Sequence, residues 1–179
     1  MSIIRFENVS KSFRDQPILR NFNMEIQTGE MKVILGAGGS GKTTILKMIL
    51  GLVKPDSGKV YIEDKNITDL EETELNTIRN KIGMVFQEGA LFDYLTVGEN
   101  VAYRMRENKT LNEKEIAEKV LELLGFVELE SSINKFPAEL SGGMIRRAGI
   151  ARALSDSPSI LLYDEPTAGL DPITSRSIC

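Results

Sequence analysis

Histidine is absent from the 179-residue sequence, and cysteine occurs once, as the last residue, Cys179. A single cysteine rules out any disulfide within the chain and suits a reducing cytosol. No apolar run approaches the roughly 18–20 residues that a bilayer-spanning helix needs. The N-terminus, Met1-Ser2-Ile3-Ile4-Arg5-Phe6-Glu7, lacks the long apolar centre of a signal peptide. Excess positive charge is lacking too. Against 22 basic residues stand 26 acidic ones, a net charge of −4, which excludes nucleic acid as the main partner. There is no internal repeat and no low-complexity tract, and the apolar share of 41% is that of a globular chain. The length allows one α/β domain with a real core and is too short for two of ordinary size.

What is present centres on Gly36-Ala37-Gly38-Gly39-Ser40-Gly41-Lys42-Thr43. The apolar run Val33-Ile34-Leu35 precedes it, and Ile45, Leu46, Met48, Ile49 and Leu52 follow at helical spacing. Strand, glycine-rich turn and helix is the setting of a phosphate-binding P-loop. Such a loop points consecutive N–H groups into one concavity at a helix N-terminus, and both favour negative charge. Lys42 is expected to reach the β- and γ-phosphates, and the Thr43 hydroxyl to ligate Mg²⁺. The plainer alternative is a glycine-rich turn with a solvated lysine.

Along the chain, Ile4 and Phe6 alternate with polar residues, Asp15-Gln16-Pro17 reads as a turn, and Phe22, Met24 and Ile26 alternate again. Pro55-Asp56-Ser57-Gly58 breaks the pattern before a strand at Val60-Tyr61-Ile62, and a polar helix is expected over 71–80. Ile82 to Phe86 reads as a buried strand ended by Gln87. Short helices follow, with Thr96 and Asn112 as caps and Glu115 completing a capping box with Asn112. The second of these helices is expected to bury Ile116, Ala117, Val120, Leu121 and Leu124 on one face and to stop at Gly125. Ser141 caps a further helix to about Leu154, and Pro158 precedes the strand Ile160-Leu161-Leu162-Tyr163.

That last strand runs straight into Asp164-Glu165. Two acids ending a buried strand need partners. Near a P-loop the partner is Mg²⁺, held by Asp164 through water, with Glu165 orienting and deprotonating the attacking water. The alternative is a pair of capping acids for the turn at Pro166. Gln87 can reach Mg²⁺ or the same water, or is a surface glutamine. Phe13 stacks on adenine or belongs to the core.

Together these residues resemble an ATP-binding cassette (ABC) ATPase. The P-loop, Gln87, the signature Leu140-Ser141-Gly142-Gly143-Met144, the strand into Asp164-Glu165 and the D-loop Ala168-Gly169-Leu170-Asp171 occur in the family's order. The resemblance implies an α/β fold of the P-loop NTPase kind: an N-terminal antiparallel β-layer, a mixed or parallel RecA-like core sheet and an α-helical signature subdomain, with the last core strands missing. It implies one ABC ATPase domain over 1–179, divided into β-layer and P-loop core (1–87), helical subdomain (88–154) and the final acidic strand with the D-loop (155–179). ATP and Mg²⁺ are the implied ligands. ATP would be bound by Phe13, Gly36, Ala37, Gly38, Gly39, Ser40, Gly41, Lys42, Thr43 and Thr44. Glu165, Gln87 and Lys42 would be catalytic, and Thr43, Gln87 and Asp164 would hold the metal. Ser141, Gly142 and Gly143 would bind ATP held by a second subunit in a head-to-tail dimer, of two identical chains by expectation.

Met144 stands where most members have glutamine, followed by Arg146-Arg147. With Glu88-Gly89-Ala90-Leu91-Phe92-Asp93 and Leu95-Thr96-Val97-Gly98-Glu99-Asn100-Val101-Ala102, this is similar to the ATPases of Mce/Mla-type lipid transport systems. The segment from Leu91 to Val101 is the expected docking face for an integral membrane permease, with Arg104 and Arg106 either flanking it or simply solvated. The expected location is the cytoplasmic face of the inner or plasma membrane, or the stromal side in a plastid. Phe13 stands where tyrosine is common. The family's switch histidine follows the D-loop on a strand that this sequence does not reach, so a shortened chain, weak in ATP turnover, is expected. Two other readings are a soluble ABC ATPase outside transport and a nucleotide-dependent regulatory module. The first usually brings tandem cassettes or heptad insertions, which are lacking here, and Glu165 argues against the second.

Overall fold

The computed structural model describes residues 1–109 and 111–164. Glu165, Pro166, the D-loop and Cys179 lie outside the described residues. The chain divides into two compact units, Met1–Arg79 and the part from Asn80 onward.

The first unit holds β1 (Ser2–Phe13), β2 (Gln16–Gln27), α1 (Lys42–Ile49), β3 (Ser57–Ile62), β4 (Lys65–Asn66) and α2 (Glu72–Arg79). Its sheet has the order β2-β1-β3-β4, with every neighbouring pair antiparallel. Ile4, Phe6 and Val9 of β1 and Val60 and Ile62 of β3 are buried, and Phe22 meets Phe6 edge-on at 5.6 Å. The hairpin turn is Arg14-Asp15, with φ of 46° and 65°. Two successive positive φ values match the right-handed twist of the flanking strands. The turn therefore falls earlier than Asp15-Gln16-Pro17. Pro17 lies within β2 opposite Ser12, on an edge strand, where a missing N–H costs no ladder bond.

The run Val33-Ile34-Leu35 is not a strand. Residues 30–37 have no regular structure, and Met31, Val33 and Leu35 are 83%, 70% and 88% exposed. An apolar run becomes a strand only where a neighbour supplies the hydrogen-bond ladder, and no strand among the described residues pairs with it. Leu52 likewise lies beyond α1, exposed. Past the C-cap Leu50 the chain turns at Gly51 (φ 65°), whose N–H donates to Met48 O while Leu52 N–H donates to Lys47 O. These two bonds satisfy the last carbonyls of the helix.

In the second unit, β5 (Ile82–Val85) and β6 (Ile160–Tyr163) form a parallel pair, Ile82 opposite Ile160 and Val85 opposite Tyr163. Between them come α3 (Val97–Asn108), α4 (Glu113–Phe126) and α5 (Gly142–Leu154). Thr96 and Asn112 cap α3 and α4 in capping boxes with Glu99 and Glu115, and the Ser141 hydroxyl accepts from Met144 N–H at 3.3 Å. The three helices share a core that includes Val101, Met105, Ile116, Val120, Leu124, Ala148 and Ala151. The α4 stripe is turned relative to expectation: Leu123 faces inward, while Ala117 is exposed and Leu121 is 50% exposed. The helix also continues through Gly125 to Phe126. Helical spacing alone admits either set, and packing against α3 and α5 selects one.

This packing has a measurable consequence. Leu124→Ala should cost about 2–5 kcal/mol in urea unfolding, whereas Leu121→Ala should change stability by no more than about 0.5 kcal/mol. Equal losses would contradict the placement of α4.

Candidate functional site

In the first unit the glycine-rich loop has the local geometry of a phosphate cradle. Gly39 and Gly41 have φ of 76° and 96°, values that L side chains rarely adopt. A Cβ on Gly41 would also come within 2.8 Å of Ile18 Cγ2, so the loop closes against β2 only with glycine there. Gly41 is the N-cap of α1 and offers no side-chain cap. The first N–H groups of α1 are thus left without a side-chain oxygen of their cap residue, an arrangement suited to an anion. Lys42 lies over the loop, its Nζ donating to Gly36 O (3.0 Å) and Ala37 O (3.1 Å). Thr43 is exposed and Thr44 half-buried in the first turn. Phe13 ends β1 and is 46% exposed, so it is not a core residue.

In the second unit Gln87 and Asp164 follow the C-terminal ends of the adjacent strands β5 and β6. The Asp164 N–H donates to Val85 O at 3.0 Å, which extends the ladder by one residue and places the carboxylate-bearing residue at the strand tip. Ligands of parallel α/β sheets bind at this end of the strands. Asp164 is half-buried and Gln87 exposed. Among the described residues no cluster of three or more Cys, Asp or Glu could cage a metal. Beside Asp164, burial raises the Tyr163 phenol above its usual range.

The residues after Gln87 are fastened to α5. Arg146 Nε donates to Gln87 O at 3.2 Å, and Arg152 donates to Ala90 O. Burial, together with the nearby Arg104 charge, lowers the Arg152 pKa from its usual value. Gly89 (φ 72°) and Gly149 touch backbone to backbone. A Cβ on Gly149 would lie 2.8 Å from Gly89 Cα, and one on Gly89 would lie 2.6 Å from Ile145 O. Gly149 did not stand out in the sequence, although a glycine in the middle of a helix is itself a sign of close approach. At the start of α5, Ser141, Gly142 and Gly143 are exposed, and a Cβ on either glycine would meet nothing within 4 Å. Met144 packs against the helical core.

Downstream, the buried Asn100 holds the 92–96 loop. Its Oδ1 accepts from Phe92 N–H at 2.7 Å, and its Nδ2 lies within hydrogen-bond distance of the carbonyls of Phe92, Leu95 and Thr96. Sequence inspection missed this role, since asparagine inside an amphipathic helix reads as polar filler. Tyr94 and Tyr103 flank Phe92 with ring centroids 5.7 and 4.9 Å away. A shallow groove of about 180 Å³ is lined by Tyr94, Leu95, Glu99, Tyr103, Arg106 and Glu107. Arg104 is tied to Asp156 (3.0 Å) and to Ile82 O (3.2 Å). Arg106 pairs with Glu113 through two guanidinium nitrogens, which raises its pKa.

These features define a P-loop nucleotide triphosphatase fold with an antiparallel β-layer and a helical insertion. Residues 19–168 match the ABC transporter family model, and the chain belongs to that family. It is 44% identical over 98% of its length to the chloroplastic protein TRIGALACTOSYLDIACYLGLYCEROL 3 of Arabidopsis thaliana, of which it covers 53%. It is 41% identical over 95% of its length to the probable ribonucleotide transport ATP-binding protein mkl of Mycobacterium leprae, covering 49% of that protein. The methionine import ATP-binding protein MetN 2 of Bacillus cereus is 43% identical over 98% of this chain and 53% of its own. The chain thus spans about half the length of the curated relatives it matches. Among solved structures, a dimeric ATP-binding cassette in a post-hydrolysis state with ADP and Pi superposes with a TM-score of 0.89 at 39% identity, covering 98% of this chain and 79% of that one. CbiO1 of Clostridium perfringens, part of the transporter complex cbiONQ, gives 0.89 at 34% identity, over 99% and 70%.

The Gly89–Gly149 contact is open to direct test. Gly89→Ala combines a positive φ with a backbone clash and should destabilise the protein by about 1–3 kcal/mol in chemical denaturation. Gly142→Ala, where a Cβ meets open space, should cost less than about 1 kcal/mol. The reverse order would show that the contact is not under the constraint described.

Proposed function

We propose that the protein is the ATP-binding and ATP-hydrolysing subunit of an ABC transporter. The observation that carries this reading is the P-loop itself, with Gly41 as a side-chain-free cap of α1 and Lys42 poised over the loop. In this reading the residues from Gly36 to Thr44 bind the triphosphate through backbone N–H groups, and Lys42 exchanges its bonds to Gly36 O and Ala37 O for phosphate oxygens. Phe13 stacks on the adenine. Glu165 accepts a proton from water as that water attacks the γ-phosphorus. The bond from the γ-phosphorus to the bridging oxygen breaks, leaving ADP and phosphate. Gln87 orients the same water. Thr43, Gln87 and Asp164 would hold Mg²⁺, which supplies neutralising charge to the phosphates when bound.

The partners follow from the same reading. Ser141, Gly142 and Gly143 open α5 with exposed N–H groups and bind the γ-phosphate of ATP on a second subunit, so that ATP closes a two-fold dimer and hydrolysis releases it. The groove beside Tyr94 and Tyr103, in and just beyond the segment from Leu91 to Val101, receives the membrane permease and places the protein at the membrane surface. The cargo we infer is lipid. It is supported by Met144 with Arg146-Arg147, by the motifs around Gly89 and Thr96, and by the galactolipid in the name of the Arabidopsis relative. Names of other relatives carry ribonucleotide and methionine. Phospholipid that stimulates ATPase activity of the reconstituted transporter, where methionine does not, would bear out the lipid reading, and the reverse would replace it.

Opposite unit charges about 4 Å apart interact by about 4 kcal/mol at an effective dielectric of 20, before desolvation is counted. Lys42→Ala should therefore weaken ATP binding at least about tenfold in calorimetric titration, and unchanged affinity would overturn the P-loop assignment. Glu165→Gln should bind ATP without turnover and accumulate as a dimer in size-exclusion chromatography with ATP and Mg²⁺. A monomer under those conditions would contradict the sandwich mechanism.

A further inference from the structure

Beyond Ser10 the end of β1 is paired on one side only, by β2. Pairing with β3 stops at Ser10 opposite Ser57, and the register with β2 breaks between Lys11 and Ser12. Phe13 lies on this one-sided end, opposite Gln16 of β2 and next to the turn. One residue takes over the role of the ladder. Asp56, just before β3, accepts Ser12 N–H on Oδ2 and Lys11 Nζ on Oδ1, each at 2.7 Å, and its own N–H donates to Ser10 O at 2.9 Å. The Lys11 ammonium is thereby kept 5.4 Å from the centroid of the Phe13 ring. A cation at that distance from a ring face is attracted by the ring quadrupole and restricts how the ring turns. A single carboxylate thus fixes the backbone before Phe13 and the cation beside its ring. The Lys11 ammonium and Ser12 N–H also hold the Asp56 carboxyl below the usual carboxylate range.

We propose that Asp56 is a positioning residue for nucleotide-base recognition, its carboxylate holding the end of β1 and Lys11 so that Phe13 presents its ring to the adenine. The proposal rests on the reading that Phe13 stacks on the base. Asp56 touches neither base nor phosphate in this scheme and acts through Phe13 alone. It therefore affects ligands that carry a base and leaves the phosphate cradle untouched.

The test uses the full-length protein and two probes, ATP and inorganic tripolyphosphate, which has the charge but no base. Phe13→Ala should weaken ATP about five- to a hundredfold, the range of base–aromatic stacking, and leave tripolyphosphate unchanged. Asp56→Ala should weaken ATP by part of that, about threefold or more, again without effect on tripolyphosphate. Asp56→Asn, which keeps an acceptor for Ser12 N–H, should recover most of the loss. Lys11→Met should shift ATP in the same direction as Asp56→Ala, and it carries the comparison if Asp56→Ala does not fold. Equal ATP affinity in wild type and Asp56→Ala, with Phe13→Ala impaired, would overturn the inference while leaving the stacking intact. Wild-type ATP affinity in Phe13→Ala would overturn the stacking and the inference with it. Parallel loss of both probes in Asp56→Ala would show that Asp56 is merely structural.

Discussion

Every helix begins with N–H groups that have no partner within the helix, and much of this structure can be understood from how each start is dealt with. The helices of the second unit close the question with side chains: Thr96, Asn112 and Ser141 each accept from the first turn. The P-loop helix does not. Its cap is Gly41 in the left-handed region, which has no side chain to offer, and the loop before it is shaped to present N–H groups. An uncapped start is unfavourable in isolation and suited to an anion. Lys42 lies across it, satisfied by the loop's own carbonyls. The α5 start is intermediate. Ser141 caps one donor, while Gly142 and Gly143 leave open space beside the helix start.

A second constraint is close backbone approach. Gly89 and Gly149 bring the segment after Gln87 against α5, and Arg146 and Arg152 fasten it there by donating to Gln87 and Ala90 carbonyls. Asn100 fixes the next stretch through four main-chain groups. The Gln87 segment, the aromatic groove and the helix that begins with the signature are therefore parts of one packed body. Tyr94 and Tyr103 are held against Phe92 beside the Asn100 hydrogen-bond network. In the first unit Asp56 has a comparable function on a smaller scale, tying a strand end that β2 pairs on one side and β3 leaves unpaired on the other.

Local chemistry made much of this legible from sequence. Glycines followed by lysine and threonine, the Asn112–Glu115 capping box, and the apolar strand running into Asp164 each rest on rules that act within a few residues. The hairpin turn, the α4 face and the run at Val33 were not legible to the same degree. Pro17 suggested a turn, yet an edge strand accommodates it. Leu121 and Leu123 are equally apolar, and only the positions of α3 and α5 decide which is buried. Val33-Ile34-Leu35 has strand composition, but a strand exists through its partners, and none pairs with it among the described residues.

Sequence by itself thus determined the family, the position of the glycine-rich turn before α1, the caps and the strand tips, because these depend on residue type at fixed short spacing. Tertiary structure decided what depends on separation along the chain: the approach of Gly149 to Gly89, close enough that a Cβ on Gly149 would lie 2.8 Å from Gly89 Cα, the grip of Asn100 on its preceding loop, and the bond from Ser12 N–H to Asp56. Contacts of that kind leave little local signature. Their residues are ordinary in their own neighbourhoods, and their effect appears only when folding brings distant backbone together.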